Sequence, residues 1–88
     1  MVCYKIEILK SVNHEVRKLD EKWIGKIVKT IHSLSIEPFP SGCVKLKGSV
    51  SGYRIRIGDY RLLYDVNREN KVVTVFSVSH RKNAYRKK

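Results

Sequence analysis

"GYRIRIGDYRLLY", residues 52–64, carries two alternating runs joined by Gly58-Asp59. Before the turn Tyr53, Ile55 and Ile57 alternate with Arg54 and Arg56; after it Tyr60, Leu62 and Tyr64 alternate with Arg61 and Leu63. A period of two is the mark of a half-buried strand, and a Gly-Asp pair between two such runs predicts a two-residue hairpin turn. Cross-strand partners then share a face. Ile57 faces Tyr60, Arg56 faces Arg61, Ile55 faces Leu62, Arg54 faces Leu63 and Tyr53 faces Tyr64. One face of the hairpin is core, and the other gathers Arg54, Arg56 and Arg61. Like charges directly opposite in a sheet destabilise it by some tenths of a kcal/mol up to about 1. A merely solvated face would intersperse acids, yet here only Asp65 appears, farther out. Three guanidiniums on a rigid sheet suit phosphate, which takes the planar fork bidentately.

Outward from the hairpin, "KLKGSVSG" (45–52) leads in and "EPFPSG" (37–42) reads as a loop. A second turn, "NREN" (67–70), precedes "KVVTVFSV" (71–78), which is apolar on both parities, as for a strand covered on both faces or lying mid-sheet. A basic tail, "HRKNAYRKK" (80–88), follows. Toward the start of the chain, "VCYKIEIL" (2–9) alternates as a strand with Val2, Tyr4, Ile6 and Ile8 on one face. Ser11 is the expected N-cap of a short helix carrying Val12, Val16 and Leu19, and Asp20 that of a second. Ile24, Ile27, Val28, Ile31 and Leu34 form the apolar stripe of that second helix, with Lys22, Lys26 and Lys29 off it. It must stop before Pro38. The predicted order is β-α-α-β-β-β: one α+β domain spanning residues 1–88, with a two-helix hairpin on one face of a small, mostly antiparallel sheet.

The bulk properties narrow the function. The chain has 88 residues, 42% of them hydrophobic, enough for one modest core. Nineteen Lys and Arg against eight Asp and Glu give a net charge of +11, which points first to nucleic acid, then to an acidic protein or a membrane surface. Cys3 and Cys43 form neither a disulfide framework nor a CxxC pair and read as free thiols of a reducing compartment, the cytosol. The opening residues do not read as a signal peptide, and no run approaches the roughly 20 apolar residues of a membrane helix. His14, His32 and His80 share no ligand spacing with the cysteines, so neither a metal nor another cofactor is expected. With no carboxylate pair and no phosphate-binding glycine motif, chemistry would fall to arginine, histidine, tyrosine and lysine. Tyr85, in the tail beside Arg81, could stack on a base or donate a proton.

"KLKG", "GYRIRIGDYRLLYDV", the apolar strand and "HRKNAY" together resemble the RelE/ParE toxin superfamily of toxin–antitoxin systems, over nearly the whole chain. The superfamily fold has the same β-α-α-β-β-β order. For a RelE-like member the resemblance implies a cytoplasmic mRNA interferase that enters the ribosomal A site. There the ribose 2′-hydroxyl of the messenger attacks the adjacent phosphate without a metal. By match of motif, Arg61 and Arg81 would stabilise charge on the phosphate and the leaving oxygen. Tyr85 would position or stack on the substrate, and His80, where some relatives carry lysine, would act as general acid or base. Arg54, Arg56, Lys45 and Lys47 would line the RNA-binding surface. The partners implied are the ribosome, mRNA and a cognate acidic antitoxin. ParE-like members share the fold but act on DNA gyrase, and a non-catalytic basic nucleic-acid-binding module is the third reading.

Overall fold

The computed structural model describes residues 3–80. Five strands and two helices follow in the order β1 (Lys5–Ile8), α1 (Lys10–Arg17), α2 (Glu21–Ser33), β2 (Val44–Lys45), β3 (Gly52–Ile57), β4 (Tyr60–Asn67) and β5 (Val72–His80). The sheet order is β1-β5-β4-β3-β2. Every neighbouring pair is antiparallel except β1 with β5, so the α+β fold with a mostly antiparallel sheet is as expected. The two-residue strand β2, which extends the predicted order by one, pairs Val44 with Arg54 and Lys45 with Tyr53.

The hairpin register agrees with the sequence at every position from Ile57↔Tyr60 to Tyr53↔Tyr64. Ile57, Leu62 and Tyr64 are buried with Val66, Val73 and Val75 from the sheet and Val12, Ile27, Ile31 and Leu34 from the helical side. These residues form one core cluster between the layers. Each large apolar side chain fully buried there contributes about 1.5–3 kcal/mol.

Helix α1 begins earlier than expected. Its N-cap is Leu9, not Ser11, and no side chain caps it. The cause is a strand that passes directly into a helix. Leu9 N–H donates to the Val75 carbonyl as the last rung of the β1–β5 ladder, while its own carbonyl accepts from Val12 and Asn13. Ser11 therefore falls inside the first turn. Asp20 does occupy the α2 N-cap, its carbonyl accepting from Trp23 and Ile24, though its carboxylate makes no capping bond. That carboxylate still sits where the helix dipole favours negative charge. Helix α2 ends at Ser33, ahead of Pro38.

Strand β5 lies mid-sheet, and a bulge explains why it is apolar on both parities. The register steps from Tyr64↔Val75 to Leu63↔Ser77, leaving Phe76 as an extra residue. Val73 and Val75 are buried, and after the step Val78 also packs on the core. A bulged residue shifts the alternation by one, so odd positions face the helices before it and even positions after it.

Candidate functional site

Arg54, Arg56 and Arg61 come together on the sheet face turned away from the core. With Gly42 and Val44 they line a shallow cleft of about 230 Å³. Arg56 and Arg61 stand directly opposite each other across the hairpin. Arg54 and Arg56 are exposed and Arg61 is half-buried. Among the described residues, neither Arg54 nor Arg56 has a carboxylate within ion-pair reach. Asp65, the acid on this face, accepts a hydrogen bond from the Ser51 hydroxyl. The cleft thus concentrates positive charge on a surface whose backbone is fixed by a full antiparallel ladder.

The cleft's outer wall was not legible as a site in the sequence. Its position depends on the 37–43 loop, which is tied down at several points. Pro38 is buried, and its carbonyl accepts a 2.9 Å hydrogen bond from the Tyr64 hydroxyl. Burial, with Cys43 alongside, pushes the Tyr64 phenol well above the ordinary tyrosine range. Phe39 packs edge-on against Tyr53 with centroids 5.0 Å apart, and Tyr53 stacks on Tyr64 at 6.0 Å. The Arg68 guanidinium covers the outer face of Phe39 at 4.8 Å. The aromatic stack carries the loop to the sheet edge, where Gly42 turns with φ of 96° and Val44 pairs with Arg54.

The other candidates are placed differently. Lys45 pairs with Tyr53 and so points to the opposite face from the arginines; Lys47 is exposed in the turn after β2. His80 pairs with Tyr60, and their rings meet edge-on at 5.0 Å. Tyr60 in turn meets Trp23 of α2 at 5.2 Å, so His80 belongs to the helix-side face rather than the arginine face. The Phe76 bulge is the cause, because it moves even-numbered residues of β5 to that side. Ser79, not His80, is the neighbour of Arg61. Arg81 and Tyr85 lie outside the described residues. Among the described residues no three of His, Cys, Asp and Glu come together in a group that could hold a metal.

Trp23 is a residue the sequence reading did not single out. Its ring closes over the hairpin tip, so near that a Cβ on Gly58 would lie 2.3 Å from it. Lys26 and Lys22 lie over the same ring at 5.1 and 5.9 Å. The tip between Arg56 and Arg61 is therefore seated on α2.

A two-helix layer on one face of this sheet, with an arginine-lined cleft on the other, defines a small basic α+β protein of the class built to meet an anionic partner. The family model for the ParE toxin of type II toxin-antitoxin systems, parDE, matches residues 6–85, and the chain belongs to that family, within the RelE/ParE superfamily. It is a toxin of RelE type. RelE1 of Methanocaldococcus jannaschii is 30% identical over 86 residues, covering 94% of this chain and 96% of its own. A chain of the archaeal RelE-RelB complex from Pyrococcus horikoshii OT3 superposes with a TM-score of 0.82 at 30% identity, covering 90% of this chain and 96% of that one. The isolated RelE toxin of E. coli gives 0.76 at 29% identity, covering 88% and 83%. No helix among the described residues is long and apolar enough to cross a membrane.

Proposed function

We propose that this chain is a ribosome-dependent mRNA interferase acting in the cytoplasm. The observation that carries the reading is the cleft lined by Arg54, Arg56 and Arg61, in a chain similar to RelE toxins. In the reaction the 2′-hydroxyl of a messenger ribose loses its proton and bonds to the adjacent phosphorus. The bond from phosphorus to the next nucleotide's 5′-oxygen breaks, and that oxygen takes up a proton. Negative charge accumulates on the phosphoryl oxygens at the transition state, where preorganised guanidiniums lower the barrier. Arg61, half-buried and held by pairing on both sides, takes this role, because a fixed donor needs no reorganisation as charge develops. Arg54 and Arg56, exposed at the rim, hold the flanking backbone. Arg81 and Tyr85, which follow β5 in the chain, supply a second cation and an aromatic that stacks on a base or donates the proton. His80 is assigned to packing against Tyr60 rather than to proton transfer. A cognate acidic antitoxin is the second partner, its charge complementing a chain of net charge +11. Relatives crystallised as RelE–RelB complexes support it.

The test is single-turnover cleavage of messenger on programmed ribosomes. Arg61→Ala should lower the saturated rate by roughly two to three orders of magnitude, the size of losing one oxyanion-type donor, with little change in ribosome binding. Wild-type protein that binds programmed ribosomes and leaves the messenger intact would overturn the reading. Inhibition of gyrase supercoiling would then be the assay to run.

A further inference from the structure

The Phe76 bulge does more than keep Val78 on the core. Before it Val73 and Val75 are buried, so an unbroken alternation would carry Ser77 and Ser79 inward with them. The extra residue reverses the parity, and both serines pair with residues of the arginine face: Ser79 with Arg61 and Ser77 with Leu63. Bulges beside a site re-aim side chains in this way. Two rows then cross the outer side of the sheet. One runs Arg56, Arg61, Ser79, and the next runs Arg54, Leu63, Ser77. Directly opposite residues hold their Cβ atoms about 4.5–5.5 Å apart, so Ser79 borders the cleft on its β5 side.

The residue type at position 79 matters. A carboxylate opposite Arg61 would offset its charge, and a valine would suit a strand better. Serine leaves the charge in place and adds what the arginines lack, an acceptor. Guanidiniums only donate and ionised phosphate oxygens only accept, whereas a hydroxyl does both. Asp65, the acid on this face, lies four residues along β4 from Arg61, about 13 Å at the rise of a strand, and already accepts from Ser51. The hydroxyls of Thr30, Ser33 and Ser35 are committed to backbone carbonyls. Among the described residues those of Ser77 and Ser79 bond no neighbour, and both serines are half-buried. A phosphate alone would call for no acceptor. A ribose does, because its 2′-hydroxyl has a proton to donate, and that group is what separates RNA from DNA. We infer that Ser79 is a specificity-determining residue of the cleft. Its hydroxyl accepts from a ribose 2′-hydroxyl while the arginines donate to the adjoining phosphate, and the cleft prefers RNA to DNA for that reason. That RNA is the ligand rests on the function proposed above.

The test is binding of the purified chain to a short single-stranded RNA and to the same sequence with every sugar 2′-deoxy, at matched salt. Wild type should prefer the RNA. Ser79→Ala should weaken RNA binding by about two- to tenfold, the size of one neutral hydrogen bond, and leave DNA binding unchanged. Ser79→Thr, which keeps a hydroxyl on the strand, should retain the preference. So should Thr74→Ala, which removes a hydroxyl from the same face on the far side of the bulge. The slope of log affinity against log salt should be the same in all four proteins, since no phosphate contact is removed. Equal affinity of wild type for the two strands would overturn the inference. An undiminished preference in Ser79→Ala would do so too, as would an equal loss on RNA and DNA. The two proposals fail separately. Wild type that prefers RNA through Ser79 yet leaves messenger intact on programmed ribosomes removes only the cleavage reading. Wild type that cuts messenger, with a preference for RNA that Ser79→Ala leaves intact, removes only this one.

Discussion

Tyr64 shows how one side chain can hold a site it does not enter. Its ring is fully buried, and its hydroxyl bonds the Pro38 carbonyl at the base of the loop that forms the cleft's outer wall. Tyr64→Phe keeps the ring but orphans that carbonyl, a loss of about 1 kcal/mol by the usual worth of a neutral hydrogen bond. Thermal unfolding at neutral pH reads it directly. The same substitution changes the alkaline limb of stability. Burial raises the folded phenol above the unfolded value near 10.0. The contribution of the neutral phenol is fully present below that value. Above it the unfolded chain releases a proton that the folded chain still holds, so stability falls as pH rises. Denaturant midpoints from pH 8 to 11 should therefore fall less steeply for Tyr64→Phe than for wild type (a range set by the ordinary tyrosine pKa of about 10). Equal slopes would mean that Tyr64 is not the buried phenol responsible.

At the scale of elements, the hairpin was legible, and so was the strand beside it, but not that strand's register. Two alternating runs around Gly58-Asp59 admit one register, and from that register the arginine face follows without further information. Gly58 is also held by its surroundings. Its φ of 62° and the Trp23 ring 2.3 Å from a would-be Cβ leave no room for a side chain. Gly58→Ala should combine left-handed strain of about 1 kcal/mol with displacement of Trp23, for a total of about 2–3 kcal/mol in unfolding free energy. Cleavage by the folded variant should drop as well, because the tip sets the spacing of Arg56 and Arg61. In β5, by contrast, Val73, Val75 and Val78 are all apolar, and nothing in their order says that Phe76 is the extra residue. Parity alone would leave His80 on the arginine face. The parallel partnership of β1, the two-residue β2 and the Leu9 cap were hidden for a related reason: each is fixed by hydrogen bonds to distant backbone rather than by local pattern. The bulge can be tested by deletion. Removing Phe76 joins Val75 to Ser77 and leaves Tyr64↔Val75 and Leu63↔Ser77 as adjacent rungs of a regular ladder. The variant should fold cooperatively with a midpoint within several degrees of wild type, about 1 kcal/mol for a chain of this size. An unbulged strand would respond in the opposite way, turning Val78 out of the core and losing the fold.

Over the whole molecule, the net charge of +11 ties stability to binding with opposite signs. Self-repulsion destabilises the compact chain, so added salt should stabilise the fold by screening while weakening every contact to phosphate. A general screening ion and a bound one can be separated by the anion. Chloride acts through ionic strength alone. Inorganic phosphate at matched ionic strength also occupies a site present only in the folded state, adding RT ln(1 + [L]/Kd) to the unfolding free energy. If the cleft of Arg54, Arg56 and Arg61 binds phosphate, the melting temperature in phosphate should exceed that in chloride. At ten times Kd the excess is about 1.4 kcal/mol, some 6–11 °C for a domain of this length. Arg61→Ala and Arg56→Ala should each reduce the excess without changing the chloride response by more than the one charge removed. Substitution of Lys22 and Lys29 on the helix side should lower the general salt response and leave the phosphate excess intact. An excess that persists after Arg56 and Arg61 are both removed would place the anion site elsewhere on the molecule and deprive the catalytic reading of its substrate contact.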